Sequence, residues 1–140
     1  MGGMWSAYWY NGYIYGSEIA RGLDVFKMVP NKFITQNEID AANQVHFDEL
    51  NVQNQPKIVW PQNFVVARAY VDQLARSGAV AAPKIAAMTA AMAKVDAMPS
   101  DKKSVAELKT MAPNLEKEAG AKTTPDANRM RALAAILKTG

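Results

Sequence analysis

The stretch Trp5-Ser6-Ala7-Tyr8-Trp9-Tyr10-Asn11-Gly12-Tyr13-Ile14-Tyr15 decides the fold of this chain. Aromatic and β-branched side chains suit strands because they fill a pleated, half-buried surface. Asn-Gly between two such runs predicts a two-residue hairpin, since both central positions need a positive φ. A break at Ala20-Arg21-Gly22 leads into Leu23-Asp24-Val25-Phe26, a short run that predicts a third strand before Pro30 forbids further pairing. Residues 1–30 are therefore expected to form a three-stranded antiparallel meander. An isolated sheet of this size is marginal in water unless something covers its face. Either the helices that follow cover it, or sheet neighbours are missing from the chain.

Downstream the composition changes. Of the 12 aromatic residues 11 occur at or before Phe64, while 20 of the 24 alanines come after it. Thr35-Gln36-Asn37-Glu38 has the capping-box form, and Ile39, Ala42 and Val45 follow at helical spacing, which predicts a short helix running to about Leu50. The Asn/Gln-rich run with Pro56 and Pro61 reads as a linker. Beyond it, apolar stripes predict four helices: Phe64, Ala67, Val71 and Leu74 with a stop at Gly78; Ile85, Met88, Met92 and Val95 after Pro83, ending at Met98-Pro99; Val105, Leu108 and Met111 after an N-cap at Ser100, bent or ended by Pro113; and Met130, Leu133 and Leu137 after Thr124-Pro125. The expected class is α+β: a meander (1–30), a short helix and linker (31–61) and an alanine-rich helical bundle (62–140).

At 140 residues the chain is long enough for one ordinary domain or two small pieces, and 49% hydrophobic with 21% charged residues excludes a disordered chain. With no cysteine it has no disulfide staple, thiolate metal site or cysteine nucleophile. The net charge of +3 is unevenly placed: residues 1–60 hold 4 Lys+Arg against 6 Asp+Glu, residues 61–140 hold 12 against 7. The basic residues are dispersed among acids and alanines, which argues against a nucleic-acid surface. The most apolar stretch, 80–97, is interrupted by Lys84, Lys94 and Asp96, which argues against a membrane span, and the opening residues lack the basic start and apolar run of a signal peptide.

The run Trp5-Ser6-Ala7-Tyr8-Trp9-Tyr10-Asn11-Gly12-Tyr13-Ile14-Tyr15-Gly16-Ser17-Glu18-Ile19-Ala20-Arg21-Gly22-Leu23-Asp24-Val25-Phe26 resembles the last β-propeller blade of LVIVD-repeat proteins, whose final blades look like W-Y-N-G-x-I-Y-x-x-E-x-x-R-G-L-D-V-F. The resemblance is close over about the first 28 residues. The helical tail, including residues 36–42 and 64–70, is similar to the C-terminal extension of some of these proteins. The resemblance implies the C-terminal part or a short relative of a larger, often exported, bacterial propeller, with an extracellular or periplasmic setting. It implies no catalytic residues. It agrees with a sheet that lacks partners, because blades bury their faces against neighbouring blades.

Candidate chemistry is sparse. His46, the only histidine, lies near Asp40, Asp48 and Glu49, but transition-metal sites collect three or four ligands in fixed geometry, and the cluster reads more simply as an exposed helix end. Glu18 and Arg21 flank the second turn as an ion pair or as a polar rim for a ligand. Ser17 has no G-x-S-x-G elbow around it. Met88, Met92, Met98, Met111 and Met130 stand at core spacing and read as gap-fillers, with a peptide groove as the competing reading. Lys102, Lys103, Lys109 and Lys117 read as a solvated face. No motif asks for a metal or cofactor and no catalytic residue is assigned.

The expected function is a non-enzymatic binding or scaffold module whose candidate binding residues are Trp5, Tyr8, Trp9, Tyr13, Glu18 and Arg21. Its expected partners are another protein or the missing propeller blades, without nucleic acid. Two other readings stay open: part of the active-site wall of a larger propeller enzyme, and a stand-alone α+β domain that forms a homo-oligomer through its strand edges.

Overall fold

Asn11, at φ 46°, and Gly12, at φ 91°, reverse the chain between β1 (Met4–Tyr10) and β2 (Tyr13–Glu18), the pair of positive angles that a two-residue hairpin requires. Gly22, at φ 95°, opens β3 (Gly22–Lys27) after the second turn. The three strands form one antiparallel sheet in the order β1-β2-β3. The computed structural model describes residues 2–54, 57–98, 101–121 and 123–139, and among these the sheet is followed by five α-helices, an α+β fold.

The β1–β2 register runs Tyr10 opposite Tyr13, Trp9 opposite Ile14, Tyr8 opposite Tyr15, Ala7 opposite Gly16 and Ser6 opposite Ser17, and then shifts so that Met4 faces Glu18. Trp5 is the extra residue of this bulge, which bends the strand and ends its regular pairing. The side chain of Met4 closes over Gly16: a Cβ built there would lie 2.7 Å from the methionine's terminal carbon and 3.6 Å from the Phe26 ring.

Helix α1 (Gln36–Ala42) begins with the expected capping box: Thr35 Oγ1 accepts from the Glu38 N–H and the Glu38 carboxylate accepts from the Thr35 N–H. It stops well short of Leu50. The N–H groups of Gln44 and Val45 close back onto Ala41 and Ala42, and residues 45–50 leave the helix because their main chain is bound to the hairpin, as described below. A single 3-10 turn follows at Val52–Asn54.

The chain divides into two compact units, Met1–Pro61 and Gln62–Gly140. In the second, α2 (Phe64–Ser77), α3 (Ala82–Ala97), α4 (Lys102–Ala119) and α5 (Pro125–Thr139) form a ring in which each helix packs on the next and α5 closes back onto α2. Asn63 caps α2, and Gly78, at φ 69°, ends it. Thr124 accepts from the Ala127 N–H at the start of α5, ahead of Pro125. Ser100, expected as the cap of α4, lies outside the described residues, as do Pro56 and Pro99. The observed cap is Asp101, whose carboxylate accepts from the N–H groups of Lys103 and Ser104.

The core of this ring is Leu74, Leu108, Leu133, Ile136 and Leu137 interleaved with fully buried alanines at 67, 91, 112, 119 and 134. Small side chains at the contacts let helix axes approach closely. Met88, Met92 and Met130 fill gaps in it, whereas Met98 stands exposed at the end of α3. Ion pairs lace neighbouring helices: Arg68 with Asp96, Lys84 with Glu118 and Lys94 with Glu107, the last two fixing α3 and α4 as antiparallel. Each is on the surface and contributes little alone. No helix among the described residues is long and apolar enough to cross a membrane.

Pro113 neither ends nor replaces α4, which continues six residues past it to Ala119. It sits on an exposed position, removes one N–H donor and leaves the Lys109 carbonyl without its usual partner. Replacing Pro113 with Ala is expected to restore that bond and raise stability by about 1–3 kcal/mol, read from urea denaturation followed by far-ultraviolet circular dichroism. An unchanged midpoint would mean that α4 meets no penalty at this turn.

Candidate functional site

Strand alternation sorts the aromatic residues onto two faces. One face carries the cross-strand row Trp9, Ile14 and Phe26, then Ala7, Gly16 and Asp24, with Met4 lying over the glycine. The other carries Tyr10, Tyr13 and Lys27, then Tyr8, Tyr15 and Val25, then Ser6, Ser17 and Leu23.

The hairpin tip is gripped by the segment that follows α1. Asn11 Nδ2 donates to the Phe47 carbonyl and Asn11 Oδ1 accepts from the Phe47 N–H, both at 2.9 Å, so one side chain reproduces the two bonds of a strand pair. The Tyr10 hydroxyl donates to the Asp48 carbonyl at 3.1 Å. This brings Leu50 and Val52 beside Tyr8, Tyr10 and Tyr15, where the five residues line an open cleft of about 440 Å³. The Tyr10 and Tyr15 rings meet at a tilt, their centroids 6.2 Å apart. A more polar hollow of about 270 Å³ lies at the tip itself, between Tyr13, Lys27, Asn43 and His46.

The second turn is organised by Glu18, which is only 4% exposed. Its carboxylate accepts from the N–H groups of Gly3 at 2.9 Å, Ala20 at 2.7 Å and Arg21 at 2.6 Å. These donors, Gly3 first and then Arg21, hold the carboxyl below its ordinary range against the opposing effect of burial. Arg21 turns its guanidinium to Asp24, 2.6 Å away, and that hydrogen bond lowers the Asp24 carboxyl in turn. Glu18 thus serves the main chain, and the ion pair of this turn is Arg21 with Asp24.

Of the residues expected to bind, Trp5 projects from the bulge and is 76% exposed. Tyr8 lines the tyrosine cleft, Tyr13 borders the hollow at the tip, and both are exposed at their outer edges. Trp9 lies on the opposite face, half-buried, and its indole N–H meets no acceptor among the described residues. Glu18 and Arg21 lie at the far end of the sheet from the tip, so the six residues do not converge on one pocket. His46 Nε2 stands 3.9 Å from Asp48 with both side chains in solvent, and the described residues hold no group of three His, Cys, Asp or Glu placed to share a metal ion. In the helical unit Met88 and Met111 line a cleft of about 100 Å³ beneath the Lys84–Glu118 pair, far too small for a peptide.

Leu50, Val52 and the clamp at Phe47 were not legible as site residues. Their one signal is Asn11, whose backbone makes the turn and leaves its carboxamide available to bond the main chain of Phe47.

Two outcomes test this geometry. Asn11→Gly keeps the turn but removes both bonds to Phe47, and is expected to cost the first unit about 2 kcal/mol, read by tryptophan fluorescence during denaturation. The Glu18 contribution is present above the unfolded carboxyl value and is lost as pH falls through the lower folded value. Acidification below the ordinary carboxylate range should therefore loosen the meander before the helices, and Glu18→Gln should abolish that step while weakening the turn at neutral pH. An acid transition unchanged in the variant would assign the step to another group.

No protein-family model matches the chain, and neither the curated proteins nor the solved structures contain a match.

Proposed function

We propose that this chain is a non-enzymatic docking module: a propeller-blade-like aromatic meander, joined to a self-sufficient helical bundle, that binds a protein partner or neighbouring blades through the faces of its sheet. The observation that carries this reading is the contrast in burial between the two units. Each helix of the second unit buries an apolar stripe. In the sheet only Gly16 and Glu18 are buried, while Leu23 is 64%, Val25 52% and Tyr8 44% exposed. Apolar surface left open in this density on a small sheet usually marks an interface.

The motif shared with LVIVD-repeat propellers supports the kind of partner, since a blade covers both faces with its neighbours. The same resemblance carries the exported setting. A role as the wall of an enzyme pocket has less support, because Glu18 and Arg21 are already engaged by the main chain and Asp24.

The test is titration calorimetry of this chain against an LVIVD-repeat propeller lacking its final blade. One-to-one binding is expected, weakened at least about tenfold, or about 1.4 kcal/mol, by the double change Leu23→Lys and Val25→Lys with an unchanged far-ultraviolet spectrum. A Kd weaker than roughly 1 mM for the unaltered chain would overturn the blade reading.

A further inference from the structure

Among the described residues no further strand pairs with β1 or β3, and these two edges of the sheet differ in chemistry. Tyr10 and Tyr13 close the two-residue turn and so form a hydrogen-bonded pair; counting back along the alternating ladder, Tyr8 and Ser6 also bond to β2, and the N–H and C=O groups of Ala7 and Trp9 point out of the open edge. Natural edge strands are blunted by charge, proline or irregularity. On β3 that protection is present: Asp24 and Lys27 lie on the strand, and Arg21 precedes it. Across all seven residues of β1 there is no charge, no proline and no glycine. Its one irregularity is the bulge at Trp5, which leaves Ser6 to Tyr10 as a regularly paired, uncharged stretch centred on Tyr8.

We infer that β1 pairs antiparallel with β1 of a second copy about a two-fold axis at Tyr8. In this register Ala7 and Trp9 of one copy face Trp9 and Ala7 of the other. The outward groups then make about four main-chain hydrogen bonds, and each indole lies over a methyl group that leaves room for it. No like charges meet, because the strand has none. The charged β3 edges stay outermost, so pairing closes at a six-stranded dimer instead of growing into a fibre. The inference concerns the edge of the sheet and is independent of what covers its faces, so it can fail while the docking reading stands.

The absence of cysteine makes the register directly testable. At the axis Tyr8 faces its own copy in a non-hydrogen-bonded pair, with Cα atoms about 4.5 Å apart, inside the range a disulfide spans. Under mild oxidation Tyr8→Cys is expected to form a covalent dimer at least about tenfold faster than Val25→Cys on the β3 edge. By sedimentation velocity the unaltered chain should be a dimer. Ala7→Pro, which deletes an outward donor and spares the β1–β2 ladder, should sediment as a monomer with an unchanged far-ultraviolet spectrum. A monomeric unaltered chain, equal cross-linking at positions 8 and 25, or a size that grows with concentration without limit would each overturn the proposal.

Discussion

The carboxamide of Asn11 holds the first unit together by meeting two demands at once. Its backbone adopts the left-handed angle that reverses the chain, while its side chain exchanges a donor and an acceptor with Phe47. A helix through residues 43–50 would need the Phe47 main chain for its own ladder. Once that main chain is committed to the hairpin, the segment runs along the sheet, Tyr10 fastens it at Asp48, and Leu50 and Val52 reach the tyrosines. Each bond is worth only about 1 kcal/mol, but together they decide which face of the sheet acquires a partial cover.

The two units reach stability by different means. The helical ring is an alanine-rich core in which close approach makes up for small side chains, and it tolerates a proline within α4. The sheet unit has large aromatic side chains and few neighbours to bury them. Its order comes from directional bonds at its two ends, the Asn11 clamp at one turn and the three donors on Glu18 at the other. Such a unit holds a defined shape while leaving its broad surfaces open, which is what a docking element requires.

Local chemistry made most of the fold readable. Asn11-Gly12, the Thr35 to Glu38 box, Gly78 and Thr124-Pro125 each state their conformation within four residues, and the strands and helices lie where those signals place them. The early end of α1 was not readable, because the competing partner is 36 residues away and acts through the main chain, on which side-chain periodicity is silent. Glu18 is governed by main-chain partners in the same way. A glutamate three residues from an arginine suggests an ion pair, yet three main-chain N–H groups, two in the turn and that of Gly3 from across the sheet, hold the carboxylate more firmly than one mobile guanidinium, which Asp24 takes instead. Continuity of Pro113 with its helix likewise reflects packing on both neighbours, a tertiary effect that overrides local preference.

The methionine that lies over Gly16 ties the one buried glycine of the sheet to the bulge in β1. Only because an extra residue intervenes at Trp5 does Met4 arrive opposite Glu18, on the face where the missing Cβ leaves a hollow. Remove that extra residue and side-chain alternation would carry the thioether to the face of the tyrosines, leaving the hollow at Gly16 uncovered beside Phe26. The bulge thus acts on one end of the sheet: residues between it and the turn keep their faces, and the strand before it exchanges them.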